Sequence, residues 1–148
     1  MEKFDQSYIE MAGVWARNSY CKRRQVGALL VKDRMIISDG YNGTPSGFEN
    51  ICEDDMGTTK PYVLHAEANA IIAAARERML GATLYMVCVS PKDGSLYAGT
   101  NSCMMCKRMV INAGISQVIV RDDAENFRII DVQSWIDDDD SLSGIFGY

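Results

Sequence analysis

Apolar and polar residues change their spacing along the chain, and these changes predict the order of its secondary-structure elements. Residues 4–19 carry apolar side chains at helical spacing, which predicts an amphipathic helix that covers a sheet. The residues of this predicted face are Phe4, Tyr8, Met11, Ala12 and Trp15. Short apolar runs at 26–31 and 35–38, joined by Lys-Asp-Arg, then predict a hairpin of buried strands.

The second half of the chain alternates helices and strands. Residues 66–80 are rich in strong helix formers and end at Gly81, and the apolar-faced segment 104–113 ends at Gly114. Apolar runs at 83–89 and 117–120 predict strands. This order predicts an α/β domain with a central sheet of about five strands and helices on its faces.

Composition limits the class of protein. The chain has 148 residues, 47% of them apolar, which fits one domain spanning residues 1–148 with its own core. No apolar run is long enough to cross a membrane, and residues 1–5 lack the apolar region of a signal peptide, which predicts a cytoplasmic protein. Five cysteines, an odd number, favour a reducing compartment over a disulfide framework.

One histidine and two cysteines form the main candidate for a metal site. His65 is the only histidine in the chain, and Cys103 and Cys106 stand at i and i+3, so that both thiols fall on one face of a helix. Helix starts favour the thiolate that binds metal. Three N/S ligands leave a fourth position open, as in catalytic zinc sites. Glu67, two residues after His65, is then the candidate acid and base.

Four segments carry a resemblance to the cytidine deaminase superfamily and, within it, to the deoxycytidylate (dCMP) deaminases. They are RQVGA at 24–28, GYNGTPSG at 40–47, VLHAEANAI at 63–71 and Cys103-x-x-Cys106. The resemblance spans residues 5–121. Free-nucleoside cytidine deaminases usually carry cysteine where His65 stands, so the histidine points to nucleotide or nucleic-acid substrates.

The resemblance implies a fold and a reaction. The fold is a three-layer α/β/α sandwich with a mixed sheet, whose fifth strand we place near Phe127–Ile130. The reaction is the zinc-dependent hydrolysis of dCMP to dUMP and ammonia, in which zinc supplies hydroxide to C4 of the base. Glu67 is expected to pass the water's proton to N3 and then to help protonate the departing ammonia. The backbone N–H of Ala66 or of Cys103 is expected to hold the base's O2.

The resemblance also assigns substrate and effector residues. Arg24 is expected to bind the 5′-phosphate and Asn42 the sugar 3′-hydroxyl. From the residues alone, Arg24 can equally be a solvated loop residue, and Asn42 can serve only to tolerate a left-handed backbone. The segment Gly43-Thr44-Pro45-Ser46-Gly47 resembles the region that binds regulatory nucleoside triphosphates, with dCTP activating and dTTP inhibiting, and Mg²⁺ can accompany the triphosphate. Family members are usually homo-oligomers, so a hexamer or a dimer is expected.

The charge balance separates the possible substrates. The formal net charge is −5, and the only dense basic cluster is Lys22-Arg23-Arg24, which is enough for one phosphate but not for a polyanion. A free nucleotide is therefore favoured over tRNA or DNA. Two alternatives stay open: a zinc deaminase acting on tRNA adenosine, guanine or another cytosine nucleotide, and a nucleotide-binding zinc module without turnover.

Several positions depart from the family pattern or fall outside it. Ser102 stands where the family has proline, which predicts a looser start to the Cys103 helix. Cys21 and Cys52 are either unpaired, partly buried thiols or, with oxygens from Glu53, Asp54 or Asp55, ligands of a second metal.

Four further features lie outside the motifs. Cys88 is interpreted as a core residue of a strand. The loop 39–62 is a candidate binding loop because it is long and rich in turn-forming residues. In the segment 90–102, Asp93-Gly94 predicts a small hairpin near the mouth of the site. The tail 135–148 combines an acidic run with apolar ends, as in a frayed end or a segment that docks on another subunit.

Overall fold

A five-stranded mixed sheet organises the protein, and the computed structural model describes residues 3–139. Its strands are β1 (Gln25–Lys32), β2 (Met35–Tyr41), β3 (Thr83–Val89), β4 (Gln117–Arg121) and β5 (Phe127–Asp131). Its helices are α1 (Lys3–Ala16), α2 (Ala66–Ile72), α3 (Arg76–Met79), α4 (Met104–Asn112) and α5 (Val132–Asp137). The strand order is β2-β1-β3-β4-β5, with β3 and β4 parallel and the other pairs antiparallel.

Helices cover both faces of the sheet, which confirms the predicted three-layer α/β/α architecture. One apolar cluster joins α1 to strand residues such as Leu29, Tyr85 and Val87. The other joins α2, α4 and α5 to residues such as Leu30, Leu84 and Met86. Successive residues of β1 and β3 thus belong to opposite clusters, because strand side chains alternate between faces. Both strands are therefore buried on both sides.

Helix α1 lies where it is predicted, but the predicted buried face is partly wrong. Ile9, Ala12 and Ala16 are fully buried, whereas Phe4 and Met11 are 40% and 41% exposed. The cause is the close approach of α1 to β1 at Gly27. A Cβ there would lie 2.0 Å from the Ala12 carbonyl oxygen. Only small side chains fit between elements at this distance, so the large ones flank the contact.

We predict that Gly27→Ala destabilises the protein strongly, by about 3 kcal/mol, because the added methyl meets helix backbone that can only move as a unit. Thermal or urea unfolding measures the change. Gly13→Ala is the matched control, since its Cβ would lie 3.7 Å from Val87, at ordinary contact distance, within helix α1. Alanine should there be neutral or stabilising by about 0.5–1 kcal/mol. Equal unfolding free energies for the two variants would contradict the close-approach argument.

The helix predicted over 66–80 is broken into α2 and α3, although its residues favour a continuous helix. Ala75 is extended, with ψ of 141°. After this break, Arg76 donates through Nε to the carbonyl of Asn112 at 2.8 Å, and Met79 is buried. Tertiary contacts with the end of α4 therefore override local propensity. The predicted end at Gly81 is confirmed, with a positive φ of 79°.

The hairpin between β1 and β2 is confirmed with a tighter turn and a more exposed second strand than predicted. Asp33 and Arg34 both have positive φ, 52° and 62°, which matches the twist of a two-residue hairpin turn. Met35 is 62% exposed because β2 is an edge strand. Residues Gly40 and Ala66 bring β2 and α2 together, since a Cβ at Gly40 would lie 2.5 Å from the Ala66 carbonyl oxygen.

The end of the described chain adds one element that the sequence did not predict. Strand β5 confirms the expected fifth strand, and α5 follows it directly, with the Asp131 side chain accepting from the Gln133 N–H at 3.0 Å. The predicted tail lies mostly at 140–148, outside the described residues. Among residues 3–139, no helix has the length and apolar character needed to cross a membrane.

Candidate metal centre and catalytic site

His65, Cys103 and Cys106 come together as the sequence predicts. His65 Nδ1 lies 3.4 Å from the Sγ of Cys103 and 3.4 Å from the Sγ of Cys106. These ligand atoms all lie within 4.8 Å of one another. The three side chains can therefore reach a single ion.

Two helix starts produce this convergence. His65 is the extended residue that precedes α2, and Cys103 is the extended residue that precedes α4. The backbone N–H of Cys106 donates to Cys103 Sγ at 3.4 Å, so the first turn of α4 holds this sulfur in place. Burial, together with the nearby Glu67 carboxylate and Cys103, raises the pKa of the Cys106 thiol well above its usual range. A cation between the donors would favour the Cys106 thiolate, because metal binding displaces the thiol proton.

Glu67 lies in the first turn of α2 and is buried, with 3% of its surface exposed. It lines a cavity of about 520 Å³ that also contains His65, Ala66 and Cys103. A carboxylate withdrawn from bulk water next to candidate metal donors has the surroundings that proton transfer requires. This is the position expected for the acid and base.

Arg24 and Asn42 line the same cavity, directly before β1 and directly after β2. The Asn42 side chain accepts from the Val26 N–H at 2.8 Å and donates to the Arg24 carbonyl at 3.0 Å. Asn42 is not among the residues with positive φ, so the left-handed interpretation is wrong. Its amide instead fixes the backbone that carries Arg24. Because Asn42 also lines the cavity, it can contact a substrate there.

Residues 97–101 form one wall of the cavity, within the segment 90–102 that the sequence placed near its mouth. All five residues, from Tyr97 to Asn101, line the cavity. The predicted turn at Asp93-Gly94 brings them there: Gly94 has a φ of 73°, and the Tyr97 N–H donates to the Cys88 carbonyl at 3.0 Å. The turn signal at 93–94 located this segment near the mouth, but only the strand pairing could show that it lies against Arg24, whose guanidinium carbon is 4.8 Å from the Tyr97 ring centre.

Ser102 is held firmly, contrary to the looser helix start predicted from the loss of proline. It is 6% exposed, its N–H donates to Asn101 Oδ1 at 2.9 Å, and its hydroxyl lies 3.6 Å from the Met86 sulfur. The N–H that proline would lack is therefore satisfied by the preceding side chain.

Cys88, predicted as a strand core residue, is buried on β3 but also lines the cavity, and burial raises the pKa of its thiol.

The candidate effector segment 43–47 lies beside the cavity but does not line it. Gly43 exchanges two backbone hydrogen bonds with Leu64, at 3.1 and 2.8 Å, directly before His65. Thr44 contacts the Tyr20 hydroxyl through both its N–H and its own hydroxyl. Gly43 is thus a packed position, since a Cβ there would lie 2.9 Å from the Tyr20 oxygen.

Cys21 and Cys52 are not the unpaired thiols of the first interpretation, because their sulfurs form a disulfide with an S–S distance of 2.07 Å. Both residues are buried, and Glu53 lies beside them. Bonded sulfurs are not free to ligate a second metal. The Glu53 carboxylate instead accepts from the N–H groups of Lys22 and Arg23. Because Cys21 and Cys52 are paired, the odd number of cysteines no longer supports the prediction of a reducing compartment.

Comparison with known proteins decides the family. Residues 2–122 match the model for the cytidine and deoxycytidylate deaminase zinc-binding region. The chain belongs to this deaminase family. Its donor set fits the metal in the family's description, because one imidazole and two cysteine sulfurs are ligands that zinc prefers, and three of them leave one position for water.

Relatives within the deaminase family include deoxycytidylate deaminases. The one from Mycobacterium phage D29 is 30% identical over 130 residues, which cover 78% of this chain and 92% of the phage protein. The one from Schizosaccharomyces pombe is 32% identical, and the match covers 78% of this chain but only 36% of the yeast protein. A solved dCMP deaminase from cyanophage S-TIM5, in complex with dCMP and dUMP, has a TM-score of 0.67 and 34% identity over 82% of this chain and 84% of the phage chain. The cyanophage enzyme supports the three-layer fold at the level of structure.

Proposed function

We propose that this protein catalyses the hydrolytic deamination of dCMP to dUMP and ammonia. The observations that carry the proposal are one cavity lined by His65, Cys103, the buried Glu67 and Arg24, and a Cys106 sulfur that can reach the same ion as His65 and Cys103. The deoxycytidylate deaminases among the relatives support it, as does the cyanophage enzyme that binds dCMP and dUMP.

The residues of the cavity divide the work of this reaction. His65, Cys103 and Cys106 would hold a zinc ion. When bound, zinc lowers the pKa of its water toward about 7 and so supplies hydroxide for C4 of the base. Glu67 transfers one proton to N3 and one to the leaving amino group. The C4–O bond forms and the C4–N bond breaks, so that water and dCMP become dUMP and ammonia.

Backbone and side-chain donors orient the nucleotide. The N–H of Ala66, at the start of α2, is assigned to the base's O2. Asn42 is assigned to the 3′-hydroxyl, using the second hydrogen of its amide while the first holds the Arg24 carbonyl. Arg24 is assigned to the 5′-phosphate, because its guanidinium can donate two parallel hydrogen bonds to phosphate oxygens.

Regulation and assembly are part of the same proposal. The 43–47 segment would bind a nucleoside triphosphate with Mg²⁺, dCTP activating and dTTP inhibiting. The contacts of Gly43 support this assignment. Gly43 is hydrogen-bonded to Leu64, the neighbour of His65, and it follows Asn42 directly. A ligand that moves this segment would move both ends of the cavity.

We also propose a cytoplasmic homo-oligomer, a hexamer or a dimer, built from a single domain, with no nucleic-acid partner. Light scattering measures its mass.

Ammonia release tests the function. Zinc-loaded protein is incubated with dCMP, CMP, deoxycytidine, cytidine, guanine and tRNA, each with and without dCTP or dTTP in Mg²⁺ buffer. Fastest turnover of dCMP supports the proposal, and a change with dCTP supports the effector segment. Preference for tRNA adenosine or guanine over dCMP would contradict the substrate assignment. Absence of turnover on every amino-base would favour a binding module.

We predict that Arg24→Gln lowers kcat/KM for dCMP by about tenfold to a hundredfold, since hydrogen bonds between charged groups contribute about 1.5–3 kcal/mol. Turnover of deoxycytidine, which lacks the phosphate, should change by less than about threefold, because no charged contact is lost. Lys22→Gln is the control, as Lys22 belongs to the same basic cluster but does not line the cavity. If Arg23→Gln causes the loss instead, the phosphate contact belongs to Arg23.

A further inference from the structure

The cavity wall at residues 97–101 is supported from behind by two side chains that do not line the cavity. Asp122 Oδ1 accepts from the Gly99 N–H at 2.8 Å. Arg128 donates through Nη2 to the carbonyl of Thr100. One acidic and one basic side chain therefore satisfy the donor and the acceptor of adjacent wall residues.

Asp122 and Arg128 also bind each other. Arg128 Nε lies 2.8 Å from Asp122 Oδ2, and the side chains are 35% exposed for Arg128 and 17% for Asp122. Arg128 holds the pKa of the Asp122 carboxyl below its usual range, so the pair stays charged at neutral pH. Because the guanidinium donates in two directions, it can hold the carboxylate and the wall together. We call Asp122 and Arg128 the wall clamp.

The wall connects the clamp to Arg24. Tyr97, its first residue, presents its ring to the Arg24 guanidinium, with 4.8 Å between the ring centre and Cζ. The Thr100 hydroxyl donates to the Tyr97 carbonyl at 3.1 Å, so the two ends of the wall are coupled. Arg24 is otherwise an exposed side chain, and long exposed side chains occupy many rotamers. Contact with the Tyr97 face restricts this freedom.

We propose that the wall clamp is a positioning device that sets the preference for phosphorylated substrates by holding Tyr97 against Arg24. This inference rests on the proposed function. Asp122 and Arg128 line no part of the cavity and act through the wall. Loss of the clamp should therefore weaken the grip on the 5′-phosphate and leave the chemistry at C4 largely intact.

The test compares two arginines of one hairpin. Arg128→Gln removes the clamp. Arg121→Gln is the matched control, because within residues 3–139 the Arg121 guanidinium donates to the carbonyls of Asp123 and Ala124 in the turn and packs on the Phe127 ring. We expect Arg128→Gln to raise KM for dCMP about tenfold with kcat changed less than about threefold, and to leave deoxycytidine kinetics unchanged. Arg128→Lys, which keeps the charge but not the fork, should recover part of the loss.

Tyr97→Leu tests the transmission step. Removing the ring that faces Arg24 should reproduce the loss of preference for dCMP over deoxycytidine. An unchanged preference in Arg128→Gln, or an equal loss on both substrates, would overturn the proposal. A preference lost equally in Arg121→Gln would also overturn it, since the hairpin as a whole would then be responsible.

Hydrogen exchange separates failure of this inference from failure of the proposed function. If the unmodified protein does not deaminate dCMP, the proposed function is wrong. The clamp is then still tested by exchange of the Gly99 amide, which should be faster in Arg128→Gln and in Asp122→Ala than in Arg121→Gln. Unchanged exchange in the clamp variants overturns the positioning role whatever the substrate.

Discussion

Glu67→Gln is expected to lower kcat on dCMP by about 10⁴-fold, at the upper end of what a positioned acid and base contributes. Glutamine has the shape of glutamate but cannot carry the proton from water to N3. The side chain is buried at 3% exposure, so solvent cannot easily replace it in this step. Ammonia release measures the loss, and calorimetry measures whether dCMP still binds.

Two further measurements make the Glu67 result specific. The zinc content of Glu67→Gln should equal that of the unmodified protein, because the glutamate is outside the metal cluster of His65, Cys103 and Cys106. Glu77→Gln, an exposed substitution on α3, should retain full activity. Substantial turnover by zinc-loaded Glu67→Gln would move the proton transfer to another group.

Cys106→Ser is expected to remove zinc and activity together. Removal of a residue that hydrogen-bonds to a metal ligand already lowers metal affinity by about 10–100-fold. Removal of a ligand itself should therefore lower the affinity by more than about 100-fold. The serine hydroxyl cannot supply the thiolate, and the site is left with one nitrogen and one sulfur. Metal analysis after dialysis should give less than about one tenth of an equivalent of zinc.

Cys88→Ser is the matched control for the metal prediction. Cys88 is buried like Cys106 and lines the cavity, but it is not part of the metal cluster. Its serine variant should keep zinc, although it exchanges a buried thiol for a hydroxyl. Equal zinc loss in the two variants would show that burial of a polar atom, rather than loss of a ligand, disrupts the site.

Sequence patterns predicted the metal cluster because the interactions that build it are local. His65 and Cys103 each precede a helix, and the spacing of Cys103 and Cys106 places both sulfurs on one face. Strands β1, β3 and β4 were also predicted from local sequence, because their apolar runs are longer than those of an exposed segment. Motifs of this kind report chemistry and local geometry in the same few residues.

The errors occurred where distant segments determine the outcome. The face of α1 depends on Gly27 of another element, and the break at Ala75 depends on contacts with α4. The pairing of Cys21 with Cys52 depends on a loop closing over 31 positions. No local pattern records these contacts. The Arg24–Tyr97 contact was missed for the same reason, since it needs the register of β1 with β3.

The position of Arg128 bears on how a minimal catalytic fragment is chosen. The family match ends at residue 122, whereas Arg128 lies on β5, an edge strand of the sheet. A chain cut at the family boundary would keep every zinc donor and Glu67 but lose the arginine that holds Thr100. Boundaries drawn from the family match alone would thus keep the residues assigned to the chemistry but remove β5, α5 and the clamp assigned to substrate selectivity.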